Sequence, residues 1–70
     1  MTDTERLQEI IADRGLKKNY IAKMLGITAE TLSRKIRNKA DFTSREIKEL
    51  CTLLGIDTLE EKEAIFFAGK

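Results

Sequence analysis

The chain has no histidine, no proline, no tryptophan and no valine, and a single cysteine, Cys51. Without histidine there is no His-based zinc site and no imidazole general base. One cysteine cannot form an intramolecular disulfide, and that usage fits a reducing, intracellular setting. No apolar run approaches the ~20 residues a membrane helix needs. The opening MTDTERLQEI lacks the basic-then-apolar layout of an export signal, so a cytoplasmic location is expected, and no membrane partner. Strand-favouring clusters are scarce and helix formers dominate, which points to an all-α fold. Seventy residues make one domain, spanning 1–70. A chain this short buries only about 60% of its unfolded surface, so stability of ~3–5 kcal/mol is expected in the absence of staples.

What is present is a series of helix signals. Thr2 with Glu5 reads as a capping box, followed by Leu7, Ile10 and Ile11 at helical spacing and a stop at Gly15, giving a first helix over about 3–14. A second helix over about 18–25 turns Ile21, Ala22 and Leu25 inward and ends at Gly26. Thr28 caps a third over about 29–37, with Leu32 and Ile36 inward and Ala29 nearby. Thr43 with Glu46 opens a fourth over about 44–54, carrying Ile47, Leu50, Cys51 and Leu54. Asp57 with Glu60 opens a fifth over about 58–67, carrying Leu59, Ile65, Phe66 and Phe67. A compact five-helix bundle with short connections follows.

The stretch IAKMLGITAETLSRKI, residues 21–36, joins two short amphipathic helices through one glycine. Gly26 permits a positive φ, Ile27 drops into the crevice, Thr28 restarts the chain, and Ala22 lets the helices approach. This is a helix-turn-helix over about 18–37. The stretch resembles the helix-turn-helix of the lambda-repressor-like, Cro-type phage regulators, the XRE group of DNA-binding domains. The family's small residue, turn glycine and following apolar positions correspond to Ala22, Gly26, Ile27 and Leu32. The flanking RLQEIIADRGLKKNYIAKML and SREIKELCTLLGI are similar to the family's first and fourth helices, so the resemblance covers about residues 5–56. Two departures stand out. Lys35 occupies a position the family usually fills with an apolar residue, and the loop KADFT is about one residue longer than common.

Charge is segregated along the chain. Residues 1–16 hold Asp3, Glu5, Glu9 and Asp13 against Arg6 and Arg14, about −2. Residues 17–39 hold Lys17, Lys18, Lys23, Arg34, Lys35, Arg37 and Lys39 against Glu30 alone, about +6, and the remainder is about −3. The positive block coincides with the helix-turn-helix. Duplex DNA rewards such a block, because cations that displace condensed counterions supply affinity.

The outward strip of the third helix is Glu30, Ser33, Arg34 and Arg37. The resemblance implies base reading by Thr28, Ala29, Glu30 and Arg34 in the major groove. Arg34 suits guanine O6 and N7, or else a phosphate or simply solvent. Glu30 suits cytosine N4, or else simply favours the helix N-terminus. Thr28 is first a cap, Ala29 offers only a methyl, and Ser33 donates to base or phosphate. Lys17, Lys18 and Asn19 at the second helix N-terminus are expected to seat a phosphate. The resemblance puts Lys18 on the backbone or the outermost base pair. Lys35, Arg37, Asn38 and Lys39 are expected to grip the backbone after the third helix, whereas Lys23 is only solvated. Tyr20 is read as packing on the first helix, or else as reaching a phosphate through its hydroxyl, and Cys51 as core.

In IFFAG, Ile65, Phe66 and Phe67 cannot all face one way, so one or two close the core and the rest form a candidate homodimer surface. One recognition helix reads few base pairs, and pairing on a palindromic operator restores selectivity. The expected function is a sequence-specific regulator, similar to a small phage Cro-type repressor in a bacterial host or prophage. An antitoxin or restriction-control regulator of the same fold, or a protein-interaction module that has lost DNA binding, are the alternatives. No second segment for ligand sensing is apparent, so no small-molecule ligand, cofactor or metal is expected. With no acid–base constellation, catalysis is not expected either.

Overall fold

A computed structural model describes residues 1–68. Among them the chain forms five helices and no strand: α1 (Thr4–Asp13), α2 (Lys18–Leu25), α3 (Ala29–Ile36), α4 (Ser44–Leu54) and α5 (Leu59–Phe66). The boundaries fall within a residue of those the apolar spacing predicts. Leu7, Ile21, Leu32, Ile36, Leu50, Leu54 and Ile65 are fully buried, so every helix delivers at least one side chain to a common core. The radius of gyration is 10.8 Å. A packed chain of this length should show about 11 Å, so the helices are folded to the density of an ordinary small domain. α2 packs on α3 and α4, and α1 packs on α3 and α5. Among the described residues, no helix is long and apolar enough to cross a membrane.

Gly26 makes the turn as its sequence context predicts. Its φ of 74° lies in the left-handed region. The Ile27 N–H then reaches back to the Ala22 carbonyl at 3.0 Å, and the Gly26 N–H reaches that of Lys23 at 3.2 Å. Two carbonyls that α2 leaves open are thereby satisfied. Thr28 restarts the chain, its Oγ1 accepting the Thr31 N–H at 3.1 Å.

Two caps sit one residue later than the spacing suggests. Asp3, not Thr2, caps α1, accepting the Arg6 N–H at 3.1 Å. Thr58, not Asp57, caps α5, accepting the Glu61 N–H at 3.2 Å. In both cases two adjacent residues are good caps, and local preference cannot choose between them. Tertiary contacts do so for α1: Thr2 is buried, and its backbone is bonded to Asn38. The Thr43–Glu46 capping box forms with both of its hydrogen bonds.

Three apolar assignments also change. Tyr20 is 47% exposed and does not pack in the core, and Leu59 is exposed as well. Cys51 is half-buried at the core margin rather than within it. At the C-terminal end, Ile65 and Phe66 are both buried, with Phe66 meeting Phe42 edge-on at 5.7 Å between ring centres. Only Phe67 of the IFF run reaches the surface, at 36% exposed. Ile65 and Phe66 are therefore core residues and drop out of the candidate dimer surface.

Candidate nucleic-acid interface

α2 begins at Lys17 without a side-chain cap. Its first-turn N–H groups are consequently not claimed by a protein side chain, and the helix dipole adds partial positive charge there. Lys17, Lys18 and Asn19 are all exposed around this terminus. An anion finds both fixed dipoles and mobile cations at one spot.

On α3, burial of Leu32 and Ile36 turns the opposite side outward. Glu30, Arg34 and Arg37 are exposed on it, and Lys39 is exposed just beyond. Ser33 is half-buried at the edge of this strip. Ala29 is half-buried against the core, so only part of its methyl faces out. The Thr28 hydroxyl accepts the Thr31 N–H and also bonds the Thr31 hydroxyl at 2.9 Å. Capping α3 is thus its principal task. Arg34 and Glu30 remain as the long polar side chains at the outward centre of α3.

Two residues expected among the phosphate contacts are committed elsewhere. Lys35 turns inward, its Nζ lying 2.5 and 2.7 Å from the two Glu46 carboxylate oxygens. The two side chains are only 12% and 11% exposed. Burial works against ionising Glu46. The hydrogen bonds from Lys35 and the Thr43 N–H, the Lys35 charge and the Thr43 hydroxyl outweigh it, holding the carboxyl below its usual value of 4.5. Lys35 therefore meets its burial by bringing its own counter-ion. Asn38 is the second case. It takes a left-handed φ of 63° to end α3, letting the Lys39 N–H reach the Arg34 carbonyl at 2.8 Å. Its side-chain amide clasps the backbone of Thr2. Oδ1 accepts the Thr2 N–H at 2.9 Å, and Nδ2 donates to the Thr2 carbonyl at 2.8 Å.

Three positioning residues escaped the pattern reading. Glu46 was legible as half of a capping box but not as the partner of Lys35. Thr2 and Thr4 form a strap across the end of α3, the Thr4 hydroxyl donating to the Ile36 carbonyl at 2.6 Å. The Asp3 N–H ties the same strap to the Ile65 carbonyl at 2.7 Å. A signal for Asn38 did exist: asparagine directly after the last inward residue of a helix is a common left-handed terminator.

Burial raises the Cys51 thiol above its usual value, with nearby Lys62 lowering it and Glu61 raising it. A thiol held protonated is a poor nucleophile. Among the described residues, no three His, Cys, Asp or Glu side chains stand together as a metal site would require.

Within the basic block 17–39, the exposed cations left after these commitments are Lys17, Lys18, Lys23, Arg34, Arg37 and Lys39, on or beside α2 and α3. They form a cationic rim around a helix whose outward centre carries Arg34 and Glu30. No curated protein and no solved structure matches the chain significantly. The family model of the Cro/C1-type HTH DNA-binding domain matches residues 6–61, from the first turn of α1 to the first turn of α5. The match spans the two-helix unit, the core that orients it and the cationic rim, and the chain belongs to the Cro/C1-type helix-turn-helix family of DNA-binding domains.

Proposed function

We propose that the chain is a sequence-specific regulator of transcription that acts as a small Cro-like repressor. It lays α3 in the major groove of an operator and excludes polymerase by occupancy. The observation that carries this is the outward face of α3, where Arg34 and Glu30 stand exposed beside the uncapped, cationic start of α2. Arg34 reads guanine through O6 and N7, and Glu30 accepts from cytosine N4 or rejects a misplaced phosphate. Lys17, Lys18 and Asn19 seat one phosphate at the α2 N-terminus, and Arg37 and Lys39 hold the backbone beyond α3.

Selection from a random duplex pool tests the reading, with enrichment of a defined sequence as the expected outcome. Arg34→Ala should then relax preference at one base position and cost about 1–3 kcal/mol, whereas Lys18→Ala should weaken every sequence alike and lower the salt slope by about one. Identical behaviour of the two variants across sequences would refute this division of labour. Failure to shift any duplex at low salt would favour a protein-interaction module instead.

The same reading includes a homodimer on a palindrome, since one α3 reaches too few base pairs for selectivity. Support comes from the surface of α5, where exposed Leu59 and partly exposed Phe67 lie beyond the core. Sedimentation of the protein with a full operator checks it: two chains per site are expected, and a lone monomer on the full site would remove the dimer.

A further inference from the structure

The Lys35–Glu46 pair is an expensive way to fill a space that an apolar side chain could fill. Both side chains are nearly out of solvent. Removing two charges from water costs about as much as their attraction returns, and apolar replacements of similar volume are often neutral or stabilising. Stability alone does not account for the pair. What an ion pair supplies, and apolar contact does not, is direction.

The direction here is well defined on both sides. Glu46 is immobilised by the α4 cap, its Oε1 accepting the Thr43 N–H at 2.9 Å while its own N–H donates to Thr43 Oγ1 at 3.1 Å. Lys35 is then bound by both oxygens of that fixed carboxylate. Burial of Leu32 and Ile36 sets which face of α3 turns inward, and the Thr4 hydroxyl on the Ile36 carbonyl holds its C-terminal end, but neither opposes a small roll about the helix axis as an ion pair of set direction does. Lys35 sits to one side of that buried line and resists such a roll. Arg34 is its neighbour in sequence and faces outward. Side-chain tips lie at a radius of about 5–6 Å, so a roll of ~10° moves them by about 1 Å. A two-pronged contact to a base tolerates displacements of only about 0.5 Å.

We infer that Lys35 and Glu46 are positioning residues for sequence selectivity: their buried pair fixes the roll of α3, so that Arg34 and Glu30 meet base edges in one register, and it makes no contact with DNA itself. This rests on the reading of α3 as the recognition helix.

The test uses the intact chain with Lys35→Met and Glu46→Gln combined, which removes the charge pair while leaving an acceptor for the Thr43 N–H. Without DNA, residual dipolar couplings report the orientation of α3 relative to α4, and a change in the double variant is expected. An unchanged orientation overturns the inference whatever DNA binding does. With DNA, affinity for random duplex and its salt slope should stay at wild-type values, while the ratio of selected-sequence to random affinity falls about tenfold. Lys35→Arg, which keeps the pair, should retain most of the ratio. A salt slope lower by about one with the ratio intact would make Lys35 a phosphate contact and overturn the inference. A parallel loss for all sequences together with a lower melting temperature would reduce the pair to a structural role and also overturn it. Should the double variant not fold, Glu46→Gln alone carries the same test, with an expected fall of about threefold. A wild-type protein that enriches no sequence refutes the reading of α3, while the couplings still judge the pair.

Discussion

Replacing Asn38 separates the two roles its position offers, phosphate contact and internal clasp. In Asn38→Ala, two partly buried hydrogen bonds to the Thr2 backbone disappear. At a net 0.5–1 kcal/mol each, that loss is about 1–2 kcal/mol. The backbone at this site has a φ of 63°, which Lys39 needs in order to reach the Arg34 carbonyl. Holding alanine there costs roughly 1 kcal/mol more than holding asparagine or glycine. The total is about 2–3 kcal/mol. Asn38→Gly keeps the backbone at ease and loses only the clasp, so it should cost about 1–2 kcal/mol. At ~2.1 cal/mol/K per residue, the unfolding entropy of this chain is about 0.15 kcal/mol/K, so alanine should lower the melting temperature by roughly 13–20 °C and glycine by about 7–13 °C. Thermal unfolding followed by far-ultraviolet circular dichroism measures both. If Asn38→Ala melts within a degree or two of wild type and instead weakens DNA binding, the amide belongs to the phosphate backbone and the clasp is not what holds it.

Gly26→Ala isolates the turn. A Cβ at Gly26 would meet nothing within 4 Å, so the only penalty is the left-handed φ of 74°. A loss of about 1–2 kcal/mol with an unchanged fold is expected, and a larger loss in urea titration would mean that space as well as φ is limiting. Glu46 predicts a pH dependence. Its folded pKa lies below the ordinary 4.5, so its stabilisation is fully present above that value and lost as pH falls through the folded pKa. The stability gap between wild type and Glu46→Gln should therefore narrow on acidification below about 4.5, and a gap that stays constant in acid would contradict the ion pair.

How much of this was legible in the sequence differs by residue. The helices were, because their causes are local: Thr43 and Glu46 are three residues apart, Gly26 sits where only a left-handed residue ends α2, and Leu32 and Ile36 repeat at one turn. The helix-turn-helix and the concentration of cations along it were legible for the same reason. The division of the site was not. Lys18, Arg34 and Lys35 are all cations in one basic block, yet Lys35 faces Glu46 across eleven residues while Arg34 faces solvent. Asn38 and Thr2 are thirty-six residues apart, and no periodicity links them. Ile65, Phe66 and Phe67 are consecutive and similarly apolar, but the first two are core and the third lies partly at the surface.

The sequence by itself determined the helices, the turn at Gly26, the family and the sign of the surface around α2 and α3. Hydrogen bonding within a turn, the range of φ a residue tolerates and apolar periodicity all act over three or four positions. Only the tertiary structure decided which cations remain on the surface, which neighbouring residue caps α1 and α5, and what holds the end of α3. Those outcomes depend on where distant segments meet, and a buried charge or amide takes whichever partner the packed chain brings within reach.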